Sequence, residues 1–124
     1  MTGFDDLGHS RPDTDREARQ GLPEVVFGPG KTVAEIAAVV TSLLAANEGP
    51  VLVTRVEPEV AAAVLAQVGN AGTYVSDGRL LVWRPAAPRG FVVAVVSAGT
   101  SDGPVAAEAA AVADAAGLTV RRIA

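Results

Sequence analysis

A run of small polar residues, Ser97-Ala98-Gly99-Thr100-Ser101-Asp102-Gly103, is the segment best suited to chemistry. It follows an apolar run typical of a buried parallel strand and precedes an alanine-rich, helix-forming run. Ligands of open α/β sheets gather at the carboxyl ends of strands, and free N–H groups at a helix N-terminus, beside Ser and Thr hydroxyls, favour phosphate. The same residues also suit plain capping, because Ser101 or Asp102 ahead of Pro104 can cap a helix without a ligand. The sequence leaves both interpretations open.

A second glycine-containing segment, Gly28-Pro29-Gly30-Lys31-Thr32, superficially resembles a nucleotide-binding loop. The P-loop pattern needs a glycine five residues before its second glycine, and Val25 occupies that place. Thr32 and Glu35 instead have the spacing of a capping box, in which each side chain satisfies the other residue's free backbone N–H. The segment is therefore predicted to be a turn and a helix start, with Lys31 as a lone donor to an anion.

Other residue types that carry chemistry are scarce. The chain has one histidine, His9, in a polar lead-in, and no cysteine, so it supplies neither a histidine cluster nor a thiol. Tyr74 and Trp83 could stack on a heterocyclic base, but we favour the interpretation that they cover a small sheet. Arg121 and Arg122 are too few for a basic patch, and strand alternation places them on opposite faces.

Composition narrows the class of protein. The 124 residues carry ten basic and fourteen acidic side chains, a net charge of −4, and 49% of them are hydrophobic. Such a chain can bury a core, and mild acidity without basic runs argues against a nucleic-acid surface. The polar, acidic start is unlike a signal peptide, and the apolar runs are too short to span a bilayer. We expect a soluble, cytoplasmic protein without nucleic-acid or membrane partners.

The elements that must position these segments indicate an α/β fold. Residues 1–12 are predicted to be a flexible N-terminal segment, and residues 13–84 a small N-terminal α/β domain. Periodicity, caps and turn residues predict its elements in this order: helix Asp13–Gln20, strand Glu24–Phe27, a helix beginning after Thr32, strand Val51–Arg55, helix Pro58–Val68, and a hairpin of Thr73–Ser76 and Arg79–Trp83 around Asp77-Gly78. A strand–turn–helix unit thus occurs twice before the hairpin.

A new unit begins after the proline-containing linker 85–89. Residues 90–124 are predicted to form one β-α-β unit: strand Gly90–Val96, helix Pro104–Ala116 and strand Leu118–Ile123. A lone β-α-β unit leaves a two-stranded parallel sheet with an uncovered face and unpaired edges. We therefore expect residues 90–124 to be the beginning of a larger parallel-sheet domain.

Two motifs of the chain resemble those of one known family. The first consists of Arg16, Arg19, Gly21 and Pro23-Glu24-Val25-Val26-Phe27-Gly28-Pro29-Gly30-Lys31-Thr32, with Val53-Thr54-Arg55 on the next strand, and it resembles the N-terminal signature of the LarB family. Val95-Val96-Ser97-Ala98-Gly99-Thr100-Ser101-Asp102, followed by Pro104-Val105-Ala106, resembles the opening of its second domain, which is similar to the carboxylase PurE. The likeness runs from about Asp13 to Ala124, and the two motifs together at this separation are quite specific.

The resemblance implies a fold and an activity. The fold would be the N-terminal α/β domain plus the first β-α-β of a PurE-like (flavodoxin-like) parallel-sheet domain. LarB enzymes act in nickel-pincer cofactor synthesis. They carboxylate the pyridinium ring of nicotinic acid adenine dinucleotide with carbon dioxide or bicarbonate and hydrolyse its phosphoanhydride, giving pyridinium-3,5-biscarboxylic acid mononucleotide and AMP, with magnesium assisting hydrolysis.

Site residues follow from the same resemblance. The loop that holds the substrate's phosphoribosyl part in PurE-like domains corresponds to Gly99, Thr100, Ser101 and Asp102. Asp102 could hydrogen-bond a ribose hydroxyl or help to hold magnesium. The accessory candidates are Ser97, Lys31 and Arg55.

The resemblance also limits the activity that we expect of these 124 residues. The family's proteins are longer, assemble as homo-oligomers, and use a cysteine of their later half that adds to the pyridinium ring, whereas these 124 residues contain none. We expect this chain to be a truncated LarB-type protein with little or no carboxylase turnover by itself and no catalytic residue of its own. The alternatives are a non-catalytic nucleotide- or phosphate-binding module that keeps the loop, and a small interaction domain in which the loop is only a helix cap.

Overall fold

The computed structural model describes residues 4–21 and 24–124 and confirms an α/β fold. In chain order the elements are α1 (Arg16–Gln20), β1 (Val26–Phe27), α2 (Val33–Ala46), β2 (Val51–Thr54), α3 (Pro58–Val68), β3 (Thr73–Val75), β4 (Leu80–Trp83), β5 (Val92–Val96), α4 (Gly103–Ala115) and β6 (Thr119–Ile123). Every element predicted from the sequence is present, with the largest differences at the ends of α1, β1 and β5.

The four strands β1 to β4 form one mixed sheet. Its strand order is β1-β2-β4-β3: β1 is parallel to β2, and β4 is antiparallel to both β2 and β3. Helices α2 and α3 cover one face. Their apolar stripes meet alternate strand residues such as Val51, Val53, Leu81 and Trp83, and all four are fully buried. This layer is the main core.

Helix α4 covers the other face of the same sheet. Leu52, Leu80 and Val82 point away from the main core and form a second buried cluster with Ala115 of α4, against which Ala111 and Val112 also pack. All four residues of β4 are buried because helices lie on both of its faces. The β-α-β unit thus shares a core with the four-stranded sheet. Residues 85–89 are attached to the C-terminal end of α4 by two backbone hydrogen bonds. Ala86 N–H donates to the Ala115 carbonyl (2.8 Å), and Arg89 N–H donates to the Gly117 carbonyl (2.8 Å).

The second sheet consists of β5 and β6 in parallel register. Along β5 the exposure alternates: Val93 and Val95 are half-buried on the α4 side, while Val92 and Val96 are 59% and 70% exposed. The uncovered face expected of a lone β-α-β unit is therefore present in the described residues, and Ile123 of β6 extends it.

The N-terminal segment has contacts that the sequence did not indicate. Phe4 bridges to Asp13, Leu7 N–H donates to the Ser10 carbonyl (2.9 Å), and Leu7 packs against the main core. Ser42 of α2 also donates to the Asp5 carboxylate, so these contacts hold the segment beside α2. No helix in the described part of the chain is long and apolar enough to cross a membrane.

Candidate functional site

The loop predicted to bind phosphate joins the carboxyl end of β5 to the N-terminus of α4. Its first residue is anchored, because Ser97 N–H donates to the Ile123 carbonyl at 2.9 Å. Gly99 has a φ of +79°, a conformation that side chains with a Cβ rarely adopt, and nothing lies within 4 Å of where a Cβ would be. The residues from Ala98 to Asp102 are exposed. The loop is thus an open turn that a ligand could reach.

Asp102 occupies the N-cap position of α4, but its carboxylate makes no capping hydrogen bond. The Asp102 backbone carbonyl accepts the first helical bond, from Ala106 N–H at 2.9 Å, and Gly103 N–H donates to the Thr100 carbonyl at 3.2 Å. The capping role that the sequence allowed for the Asp102 side chain is therefore not formed. Its carboxylate stays exposed at the positive end of the helix dipole.

This loop lies at the end of the four-stranded sheet where β1 and β2 finish. The turn before β4, at Gly78, abuts Ala107 and Ala111 of α4, whereas Ala86, after β4, bonds to Ala115. Helix α4 therefore runs alongside β4 and opposite to β2, with its N-terminus at the carboxyl end of β2. The three connections from strand to helix share one end of the molecule.

Arg55, at the end of β2, joins the two parts of the chain. Its Nε donates to Oε2 of Glu108 on α4 at 3.1 Å, and its guanidinium carbon lies 5.5 Å from the centre of the Phe27 ring. Sequence reasoning missed Glu108, because its partner is 53 residues away and no local spacing relates the two. Arg55 is thus bound to protein groups on two sides.

Lys31 is placed beside Arg55. Both line a cavity of about 150 Å³ together with the turn at Gly28 and Gly30. The Lys31 Nζ donates to the Phe27 carbonyl at 2.7 Å. The predicted capping box is confirmed, since Thr32 N–H donates to Glu35 Oε1 at 2.8 Å and Glu35 N–H donates to Thr32 Oγ1 at 3.1 Å. The structure brings Lys31 and Arg55 together, and Ser97 does not line their cavity.

The capping box also sets the protonation of Glu35. The hydrogen bond from Thr32 N–H holds the pKa of the Glu35 carboxyl below its ordinary value, and the positive charge of Lys31 acts in the same direction. His9 lines an open cleft of about 370 Å³ with Arg11 and Glu24. Its ring Nδ1 lies 2.7 Å from the Ser10 hydroxyl.

The two aromatic candidates have structural roles. Trp83 is fully buried, and its Nε1 donates to the Gly69 carbonyl at 2.8 Å. The Tyr74 hydroxyl donates to the Val56 carbonyl at 2.6 Å. The interpretation that these side chains cover the sheet is therefore confirmed, since the half-buried Tyr74 ring also packs against the main core. The buried Trp83 ring is not available for stacking on a base.

The donor set for magnesium is small. Within residues 4–21 and 24–124, no three His, Cys, Asp or Glu side chains come together as a metal site. Asp102 supplies the carboxylate of the loop from Ser97 to Gly103, and Mg²⁺ in proteins is often held by one or two carboxylates plus substrate phosphates. Asp102 fits one position of such a site but does not make one alone.

Comparison with known proteins supports the N-terminal resemblance. A family model described as the LarB/PurE-like N-terminal domain matches residues 4–85. The chain belongs to this family. No curated protein matches the chain. The LarB/PurE-like N-terminal domain comprises the folded N-terminal segment, the four-stranded sheet and helices α1 to α3, and ends before the loop that begins at Ser97. Of the motif residues that carry the resemblance, Pro23 lies outside the described residues.

Proposed function

We propose that this chain is part of a LarB-type enzyme of nickel-pincer cofactor synthesis, and that its role is to hold nicotinic acid adenine dinucleotide. Membership of the LarB/PurE-like N-terminal domain family supports the proposal. The observation that carries it is the exposed loop from Gly99 to Asp102, at the N-terminus of α4, whose Asp102 carboxylate is not used for capping.

In this proposal the loop binds the phosphoribosyl part of the dinucleotide. The Thr100 and Ser101 hydroxyls and the backbone N–H groups at the start of α4 donate to phosphate oxygens, which the positive end of the helix dipole also attracts. A carboxylate repels phosphate but accepts hydrogen bonds from ribose hydroxyls, so Asp102 orients the sugar or, with the substrate's phosphates, a magnesium ion. Ser97, Lys31 and Arg55 are accessory candidates.

Carboxylation of the ring is assigned to other residues. In the LarB family a cysteine adds to the pyridinium ring, and these 124 residues contain no cysteine. We therefore propose that the chain alone binds the dinucleotide and AMP but transfers no carboxyl group from carbon dioxide or bicarbonate. The complete enzyme would work as a homo-oligomer.

The experiment that tests the ligand loop is calorimetric titration of the chain with AMP and with nicotinic acid adenine dinucleotide. The variant is Ser101→Ala with Asp102→Ala, which removes one hydroxyl and one carboxylate. We expect the Kd to rise at least about tenfold, since charge-assisted hydrogen bonds contribute about 1.5–3 kcal/mol each. The thermal unfolding midpoint should fall only slightly, because the Asp102 side chain makes no capping bond and loses only an exposed interaction with the helix dipole.

The chain contains a matched control for this variant. Ser76-Asp77-Gly78, in the turn between β3 and β4, repeats the residue types of Ser101-Asp102-Gly103. Ser76→Ala with Asp77→Ala makes the same change of charge and composition in a hairpin turn, where no helix begins, and additionally removes the exposed ion pair of Asp77 with Arg122 (3.0 Å). Binding should survive this change.

Each outcome decides between functions. Loss of binding in the loop variant alone supports the ligand site. Unchanged affinity with a lowered unfolding midpoint would make the loop a helix cap and leave the small interaction domain. Absence of binding by the unaltered chain would overturn the proposal. Binding of AMP without the dinucleotide would favour the alternative, a non-catalytic nucleotide- or phosphate-binding module.

A further inference from the structure

Arg55 combines an unusual backbone with two side-chain contacts. Its φ is +56°, in the left-handed region where residues with a Cβ are uncommon. Its side chain reaches the Glu108 carboxylate at 3.1 Å and the face of the Phe27 ring at 5.5 Å. Arg55 therefore ties the end of β2 to the neighbouring strand β1 and to α4. A strained residue held in place by such contacts is a candidate for a functional role.

Glu108 lies close to the ligand loop along α4. It is five residues after Gly103, which corresponds to about 7.5 Å of helix. Its side chain is 21% exposed, and the neighbouring Ala107 is buried against the sheet. The ion pair thus lies beside the first turns of α4, where Ala107 also contacts the turn at Gly78, and the apolar cluster around Ala115 holds the far end of the helix.

We propose that Arg55 is a positioning residue: through Glu108 it fixes the N-terminal end of α4, and thereby sets the geometry of the loop from Ser97 to Asp102 that binds the ligand. The part of this inference that concerns ligand affinity rests on the proposed function, whereas the restraint on α4 does not. Arg55 then acts on the ligand through the helix and without touching it.

A direct contact between Arg55 and the ligand is the competing interpretation. The two differ in what Glu108 does. If Arg55 reached a phosphate itself, Glu108 would compete for the guanidinium, so removing the Glu108 charge would leave the affinity unchanged or raise it. If Arg55 acts through α4, loss of Glu108 has the same effect as loss of Arg55, because either change breaks the same link.

The first test uses the ligand-free chain and amide hydrogen exchange. In Arg55→Met we expect the amides of Ala106, Ala107 and Glu108, which make the first helical hydrogen bonds of α4, to exchange several-fold faster, because the first turns of the helix open more often. The matched control is Arg79→Met. Arg79 also has a positive φ, +51°, and pairs with Glu57 at 3.2 Å, but this pair does not involve α4. The control should leave these amides unchanged.

The second test is a double-mutant cycle on the affinity for AMP. We expect Arg55→Met and Glu108→Gln each to raise the Kd about fivefold, and the double variant to raise it no further. Arg55→Lys, which keeps the charge, should recover part of the affinity. Helix α4 itself must remain folded in each variant, which far-ultraviolet circular dichroism checks.

The outcomes separate this inference from the proposed function. Equal, non-additive losses with faster exchange support the positioning role. A loss in Arg55→Met, with unchanged or tighter binding in Glu108→Gln, would overturn it in favour of direct contact. Unchanged exchange in Arg55→Met overturns the restraint on α4, whatever the affinities are. If the unaltered chain binds no AMP, the proposed function fails together with the affinity part of this inference, and the exchange measurement alone decides the restraint.

Discussion

Gly78 and Ala111 approach each other so closely that a Cβ on residue 78 would lie 2.5 Å from the Ala111 Cβ. Gly78 belongs to the turn before β4, and Ala111 is in the middle of α4. Their contact lies beside the cluster of Leu52, Leu80 and Val82 that buries the inner face of α4. The close approach therefore shows that the β-α-β unit is packed against the LarB/PurE-like N-terminal domain and not merely tethered to it.

Replacing Gly78 with Ala should weaken this packing. The added methyl group also meets the Ala107 carbonyl oxygen at 3.0 Å, so α4 must shift away from the turn. We expect a loss of about 1–3 kcal/mol in the free energy of unfolding, the usual cost of overpacking. Urea titration followed by circular dichroism measures it. Gly103→Ala is the control, since nothing lies within 4 Å of its Cβ position. Equal stability of Gly78→Ala and the unaltered chain would contradict a tight contact.

Trp83 lies on the face of the sheet that α2 and α3 cover, and its side chain should stabilise the main core. Its indole is buried, Nε1 donates to the Gly69 carbonyl at 2.8 Å, and a Cβ on Gly72 would collide with the ring. We expect Trp83→Phe to lower the free energy of unfolding by about 1–3 kcal/mol through the lost hydrogen bond and the smaller ring.

Gly72→Ala tests the same packing from the opposite side while keeping the only tryptophan. Fluorescence of Trp83 then reports its own environment. We expect a lower unfolding midpoint and a red-shifted native emission as the indole is displaced. An emission spectrum identical to that of the unaltered chain would mean that the ring does not depend on Gly72.

Local signals account for most of the fold that the sequence predicted. The capping box of Thr32 and Glu35, the first-turn Pro58 and the Asp77-Gly78 pair each act within a few residues, so their elements lie where expected. Strand β1 is shorter than predicted because only Val26 and Phe27 pair with β2. Pairing depends on a partner strand that local sequence does not reveal.

Long-range contacts account for what the sequence left out. The strand order β1-β2-β4-β3 and the docking of α4 on Leu52 and Val82 depend on residues far apart in the chain. The same is true of the ion pair between Arg55 and Glu108, whose partners are 53 residues apart. In the candidate site, the sequence predicted a loop from its glycines and hydroxyls, but it gave no sign of the link between Arg55 and α4.

The raised pKa of Tyr74 predicts how the stability of the fold changes at alkaline pH. Burial, reinforced by the negative charge of Glu57, raises the pKa of the Tyr74 phenol above its ordinary value of 10.0. The unfolded chain therefore loses this proton first, and the stability contributed by neutral Tyr74 is lost as the pH rises above about 10. The unfolding midpoint should fall more steeply in this range than it does in Tyr74→Phe. Tyrosinate absorbance gives the titration directly, because Tyr74 is the only tyrosine. A phenol that ionises below its ordinary pKa would contradict the prediction.

The lowered pKa of Glu35 predicts that the stability of the fold decreases at acid pH. Its pKa is held below the ordinary value of 4.5, chiefly by the hydrogen bond that its carboxylate accepts from Thr32 N–H. The stability contributed by the charged form is thus present above about pH 4.5 and is lost as the pH falls through the lowered pKa, because protonation weakens the carboxylate as an acceptor. Glu35→Gln keeps an acceptor oxygen but cannot titrate, so its unfolding midpoint should fall less than that of the unaltered chain between about pH 6 and about pH 3.

The control is Glu59→Gln. Glu59 also lies in the first turn of a helix, but α3 has no side-chain capping bond at its N-cap, so this variant should follow the unaltered chain. Parallel curves for the unaltered chain and Glu35→Gln would show that the capping box does not depend on the charge of Glu35.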